Sequence, residues 1–246
     1  MNKPEPLDPT TPGRSLVRFL TWCTFAVLVL FIGGTAAAIY FLEQSPPPTT
    51  AFMLQSRNAD PATGLPCTDI EFEWVERERI SPHLRLAVVL AEDQRFLLHH
   101  GIDFEGVERA LRERDQRGRV RGASTLTQQL AKNLFLWPEP SLSRKALETW
   151  FTLWIEGQWS KRRILETYLN VAQFGPCVFG AEAASRRYFD RSADTLEPEQ
   201  AALLATVLPN PKKLRAHDPG PFARQRAAEI ARLMQELGGA RHLRGL

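Results

Sequence analysis

The sequence has no CxxC pair and no cluster of histidines and cysteines, so nothing in it has the spacing of a structural metal site. No serine is followed three residues later by lysine, which removes the Ser-x-x-Lys nucleophile of acyl-transfer enzymes. Internal repeats are absent, and the only biased stretch is a short proline run. A strong charge of either sign is also missing. The formal net charge is +3 over 246 residues, and the pI is about 8.9. That balance argues against nucleic acid as a partner. It suits a protein working beside anionic lipid or a phosphate-bearing substrate. The cysteines are Cys23, Cys67 and Cys177. Cys67 and Cys177 can pair in an oxidising compartment, but free packing cysteines are the expectation.

Charge is absent altogether from Trp22 to Leu42. A helix needs roughly 20 apolar residues to cross a bilayer core, and this run supplies them. Lys3, Arg14 and Arg18 precede it and Glu43 follows it, so the N-terminus is expected in the cytoplasm and the rest outside. A cleaved signal peptide with a site at Ala36-Ala37-Ala38 is the rival reading, but the apolar run continues past the alanines. The division expected is a cytoplasmic tail (1–18), a transmembrane anchor (19–43), a stiff proline-rich stem (44–50) and a periplasmic domain (51–246). Deleting residues 1–43 is expected to lower activity on membrane substrate more than fold stability.

Helical signals dominate the outer part. Ser81-Pro82 reads as a cap with proline in the first turn of a helix running to about His100, which Gly101 can end. Further helices are expected over 104–114, from Ser124 or Thr125, over 143–159, from Ser160 to about 172, and over 180–188, 197–208 and 221–237. Thr125 and Gln128 have capping-box spacing. Residues 113–124 read as a basic loop, and 70–75 (IEFEWV) as a short strand. The fold class is mostly α, with at most short β-strands.

Four segments can carry chemistry. In AEDQRFLLHHGID (91–103), Glu92 follows the apolar run LAVVLA, where partial burial makes a carboxylate a usable proton acceptor. In GASTLTQQLAKNLFL (122–136), Leu126, Leu130 and Leu134 recur at helical spacing and should face the core. Thr125, Gln128, Gln129 and Lys132 then share the other side, where a helix N-terminus and a lysine suit a phosphate. Arg144 and Glu148 stand four apart, as an ordinary surface pair or as part of a diphosphate site with Lys145. In SKRRILETYLN, Ile164, Leu165, Tyr168 and Leu169 should pack inward, and Lys161, Arg163, Glu166 and Asn170 read as scaffold.

Taken in order, EDQRFLLHHG, GASTLTQQLAKN, RKALE, SKRRILETYLN and GAEAASRRYF with EQAALLATVLPNP resemble the peptidoglycan glycosyltransferases, and the monofunctional biosynthetic transglycosylases in particular. The resemblance implies a lysozyme-like helical fold and polymerisation of lipid II onto a lipid-linked nascent glycan at the bacterial inner membrane, in the company of membrane lipid and cell-wall synthesis or division proteins. Carried over by position, Glu92 is the catalytic base and Glu148 the second carboxylate. Lys132, Arg144 and Lys145 hold the leaving diphosphate, and Asp93, Ser124, Gln128 and Gln129 line the cleft. No dedicated metal cage is present in the sequence, so Mg²⁺ or Mn²⁺, which the resemblance implies, would be bridged by the substrate diphosphate. Two positions depart from the family pattern: Gln173 where Glu is common, and Cys177 where Gly is common. A lysozyme-like peptidoglycan-cleaving enzyme and a non-catalytic membrane-anchored scaffold are the competing readings.

Overall fold

The computed structural model describes residues 11–117, 124–211 and 213–239. The first ten residues of the expected tail, and residues 118–123 of the expected basic loop, lie outside them. Helix α1 (Thr11–Gln44) takes in the whole uncharged run, and its Leu16–Gln44 part is long and apolar enough to cross a membrane. Ten helices carry most of the described chain. After α1 come α2 (Ala51–Ser56), α3 (Pro82–Glu92), α4 (Phe104–Arg117), α5 (Leu126–Phe135), α6 (Leu142–Gln158) and α7 (Lys161–Val171). They are followed by α8 (Ala181–Phe189), α9 (Pro198–Val207) and α10 (Pro221–Glu236).

The sequence signals place most boundaries within two residues. Side-chain oxygens of Ser81, Thr125, Ser141 and Ser160 cap α3, α5, α6 and α7. Asn170 replaces a sheet ladder at the expected strand over 70–75. Its side-chain amide meets Val75 N and Val75 O at 2.9 Å each, which ends the extended segment early. What remains is β1 (Glu71–Phe72), parallel to β3 (Val178–Phe179), with β2 (Gln173–Gly175) antiparallel on the other side of β3.

Helix α3 departs from expectation. It ends at Glu92, not near His100, and Asp93 leaves helical geometry at φ −156°. The cause is the Asp93 carboxylate, which turns across to accept the Leu126 N–H of α5 at 3.0 Å and to meet His99 Nε2 at 3.0 Å. Glu92 therefore occupies a helix end and not a helix interior.

Two packed groups meet at that point. Helix α9 lies between α3 and α10, and α5 lies against α6 and α7. Leu126, Leu130 and Leu134 face the core as their spacing requires, and Ile164, Leu165, Tyr168 and Leu169 join them. The residues read as scaffold act as such: Glu166 accepts the Arg77 N–H and pairs with Arg163 at 3.0 Å.

Helix α1 is not free of the domain. Thirty-four residues at 1.5 Å each span about 51 Å, against a hydrocarbon thickness of about 30 Å. The surplus docks on α6. Phe31 stacks on Trp150 at 5.5 Å, Ile39 is fully buried, and Trp159 Nε1 donates to the Ile39 carbonyl at 2.9 Å. Arg163 Nη2 donates to the carbonyls of Leu42 (2.8 Å) and Ser45 (3.0 Å), and Pro47 and Thr50 are buried. Residues 45–50 thus run against the domain and do not stand clear of it as a stem.

The expectation of free packing cysteines is overturned. Cys67 and Cys177 form a disulfide across 110 positions of sequence, and Cys23 is free and exposed. Asp60 organises the pair, accepting from Cys177 N (3.0 Å), Gln173 Nε2 (2.8 Å) and Ala62 N (2.6 Å). Both departures from the family pattern are explained together. Gln173 gives Asp60 a donor where a glutamate would oppose it, and Cys177 sits at φ 58°, a conformation glycine adopts without penalty.

Two outcomes follow from this packing. Replacing both Cys67 and Cys177 by serine should lower stability by about 2–4 kcal/mol, read as a lower melting temperature that reductant no longer changes. A chain beginning at residue 31 should melt near the full chain in detergent, whereas one beginning at residue 46 should melt well below it, because Trp150 and Trp159 lose their cover.

Candidate active site

The C-terminal end of α3 brings Glu92 to a groove of about 710 Å³. That volume is the size of a substrate cleft. Gln129 and Lys132 of α5, Thr206 of α9, Asn210 beyond it, and Phe222 and Arg226 of α10 line it with Ser124. A second, more polar groove of about 220 Å³ shares Glu92, Ser124 and Arg226 and adds Asp93, Arg95, Asp103 and Arg109. Glu92 stands where the two meet.

One oxygen of Glu92 is held and the other is not. Gln129 Nε2 donates to Oε2 at 2.7 Å, while Oε1 is buried with no protein partner. Burial pushes the Glu92 carboxyl above the ordinary carboxylate range, and the Gln129 hydrogen bond and the charges of Lys132 and Arg226 partly offset that rise. A buried acceptor without a partner is rare enough to mark a place that a ligand completes. Lys132 lies along the same groove. Burial lowers its ammonium pKa, and Glu148 and Glu92 act against that lowering.

Glu148 is arranged differently. It is 3% exposed, with one oxygen on Arg144 Nη1 at 2.7 Å and the other on Lys145 Nζ. Both oxygens are taken, so Glu148 holds two cations in place and is not free to accept a proton. Arg144 Nε is buried with no protein partner, and Lys145 Nζ also reaches Ser124 Oγ at 3.3 Å. The pair is thus no surface ornament: its side chains are 12% and 4% exposed, where an unmatched charge is severe.

The start of α5 differs from its sequence reading. Thr125 N–H is accepted by Gln128, Leu126 N–H by Asp93 and Gln128 N–H by Thr125. These donors serve the cap, so this helix end offers an anion less than expected. Gln128 is a capping residue turned away from the groove, and Gln129, its neighbour, is the one that meets Glu92. Asp93 works on the backbone. Its partner His99 accepts the Gly101 N–H at Nδ1 (3.2 Å), which leaves the ring proton on Nε2 for Asp93. Gly101 has φ 87°, and a Cβ there would lie 2.6 Å from Thr152 Cγ2. Glycine alone lets this turn press on α6 while its carbonyl accepts from Thr125 Oγ1 at 2.6 Å.

Arg226 was missed by sequence reasoning. It lines both grooves, ion-pairs with Glu229 at 3.2 Å and acts electrostatically on Glu92. The helix over 221–237 was legible, but nothing local marks one of its arginines as lining a groove.

A protein-held divalent metal does not fit here. Both oxygens of Glu148 are taken by cations, and Glu92 offers one unpartnered oxygen under the charges of Lys132 and Arg226. The one His/Cys/Asp/Glu cluster of ligand spacing among the described residues is Asp60, Cys67 and Cys177, whose sulfurs are joined to each other.

Burial of Glu92 makes a thermodynamic prediction. Its folded pKa is raised, so the folded state holds this proton more tightly than the unfolded chain. Stability from this group is full below the unfolded carboxylate pKa and falls as pH rises toward the raised folded value. Glu92→Gln should therefore melt higher than the parent at pH 7.5, and the gap should close below about pH 4.

The transglycosylase family model matches residues 62–235, which include Glu92, Gln129, Lys132, Arg144, Lys145, Glu148 and Arg226. A biosynthetic peptidoglycan transglycosylase of Pseudomonas aeruginosa is 45% identical over 230 residues, covering 94% of this chain and 97% of that protein. One of Shewanella oneidensis is 43% identical over 225 residues, covering 92% and 95%. A third, of Xylella fastidiosa, is 48% identical over 174 residues, covering 71% and 72%.

Proposed function

The chain belongs to the transglycosylase family and is a peptidoglycan glycosyltransferase, and we propose that it extends glycan strands by an inverting displacement with Glu92 as general base. The donor is the lipid-linked nascent strand and the acceptor is lipid II. Glu92 takes the proton from the acceptor 4-hydroxyl as that oxygen forms its bond to C1 of the donor. The C1–O bond to phosphate breaks on the opposite face, and undecaprenyl diphosphate leaves with the electron pair. One displacement converts the α-linked donor to a β-1,4 product.

The single observation carrying this reading is the state of Glu92. It has one oxygen fixed by Gln129, one buried without a protein partner, and Lys132 along the same groove. A raised pKa suits a base that must hold the proton it takes. Lys132, Arg144 and Lys145 offset the charge that develops on the diphosphate, in a setting where the donors are already in place. Glu148 positions Arg144 and Lys145. A divalent ion accompanying the diphosphate would add to the charge that Lys132, Arg144 and Lys145 supply.

The cations also separate this reading from a lysozyme-like hydrolase. Hydrolysis of a neutral glycan needs a carboxylic acid to protonate the leaving sugar and a second carboxyl group across the bond. Here the second carboxylate is closed by Arg144 and Lys145. A diphosphate leaving group needs no such proton.

Orientation completes the proposal. The cationic flank of α1 lies in the cytoplasm, and the glycosyltransferase domain faces the periplasm at the surface of the inner membrane. There it meets membrane lipid, both lipid-linked substrates, and other cell-wall synthesis or division proteins. With labelled lipid II and the full chain, polymer should form and moenomycin should suppress it. Glu92→Gln should abolish polymerisation while lipid II still binds. Near-parental polymerisation by that variant would remove Glu92 from the role.

A further inference from the structure

Tyr168 was expected to do no more than pack inward. It is 1% exposed at the centre of α7, yet its hydroxyl is not idle. It donates to Gln129 Oε1 at 2.9 Å, and the same amide donates through Nε2 to Glu92 Oε2 at 2.7 Å. The ring also borders a cavity of about 240 Å³ that it shares with Gln129 and Lys132. We propose that Tyr168 is a positioning residue for proton transfer: its hydroxyl locks the Gln129 amide so that the N–H₂ end, and not the carbonyl end, meets Glu92. This rests on Glu92 being the base.

Which way the Gln129 amide points decides what Glu92 meets. A glutamine side chain is nearly symmetric in shape but opposite in polarity at its two ends. With N–H₂ toward Glu92 it stabilises the carboxylate and keeps that oxygen occupied. Turned over, it would set a carbonyl oxygen against the carboxylate. Only a group that can donate but not readily become an anion holds the carbonyl end. A phenol does so: burial and the nearby Glu92 and Asp93 push its pKa well above the usual range, so it stays an O–H donor. With Oε2 held by Gln129, Oε1 is the buried oxygen without a protein partner, and in this proposal it is the one that takes the hydroxyl proton.

The charged and titratable groups around Glu92 come from each element packed on it. They are Asp93 at the end of α3, Lys132 on α5 and Arg226 on α10, with Tyr168 behind Gln129 on α7. Lys132 and Arg226 favour the carboxylate from the groove side, and Asp93 opposes it. The Tyr168–Gln129 pair is the contact that approaches from the protein interior.

The test is the pH profile of lipid II polymerisation by the full chain and by Tyr168→Phe, Gln129→Met and the double variant. The acid limb, where the base gains its proton, should move to higher pH in Tyr168→Phe. The loss should be roughly three- to tenfold on the acid side and shrink on the alkaline side, since one hydrogen bond to an ionisable site is being removed. Gln129→Met should move the limb in the same direction, and the double variant should move it no further than Gln129→Met alone. A Tyr168→Phe variant that loses rate equally at every pH, or keeps the parental limb, would reduce Tyr168 to packing and overturn the inference. Additive losses in the double variant would do the same, and an unmoved limb in Gln129→Met would do so even if Tyr168→Phe fails to fold. Failure of the base assignment is read separately, as polymerisation by Glu92→Gln.

Discussion

The bond from Leu126 N–H to the Asp93 carboxylate joins the two halves of the molecule. On one side it stops α3 at Glu92; on the other it starts α5. His99 holds the second side of Asp93, and Gly101 holds His99, so the turn between α3 and α4 is fixed as a unit. Glu92, the Gln129 amide beside it and Lys132 are set relative to one another by the tie between these two helix ends. Asp93 contributes geometry, and Glu92, its neighbour in the chain, is the proposed base.

Charge is distributed by the same logic of division. Glu148, with each oxygen on a cation, is buried and holds Arg144 and Lys145 in place. Glu92, the proposed base, has one oxygen unpaired. Arg144 shows the complementary arrangement, with Nη1 paired and Nε open. Each half-satisfied group is expensive in an apoprotein, and both become satisfied when a hydroxyl and a diphosphate enter.

Much of this was legible in the residues. Hydroxyl caps gave the helix starts, the leucine spacing of α5 gave its buried side, and Glu92 after LAVVLA stood out as an acid among apolar neighbours. What was not legible depended on distant partners. Asp93 ends α3 early because of Leu126, thirty-three residues on. The capping-box spacing of Thr125 and Gln128 was legible, but only the fold shows that Gln129 and not Gln128 meets Glu92. The disulfide was undecidable because it spans 110 positions, and Asp60, which assembles it, has no local signature. Tyr168 read as core and is core, with a polar tip whose partner lies on another helix. Family and activity were clear from ordered motifs; the division of labour inside the site was not.

The docked end of α1 has a mechanical meaning. Trp159, Arg163 and Phe31 splice the membrane helix to α6 as a joint without a hinge. With α1 in a bilayer, tilt or rotation of that helix carries the domain with it, so the height of the groove above the lipid is set by the lie of one helix.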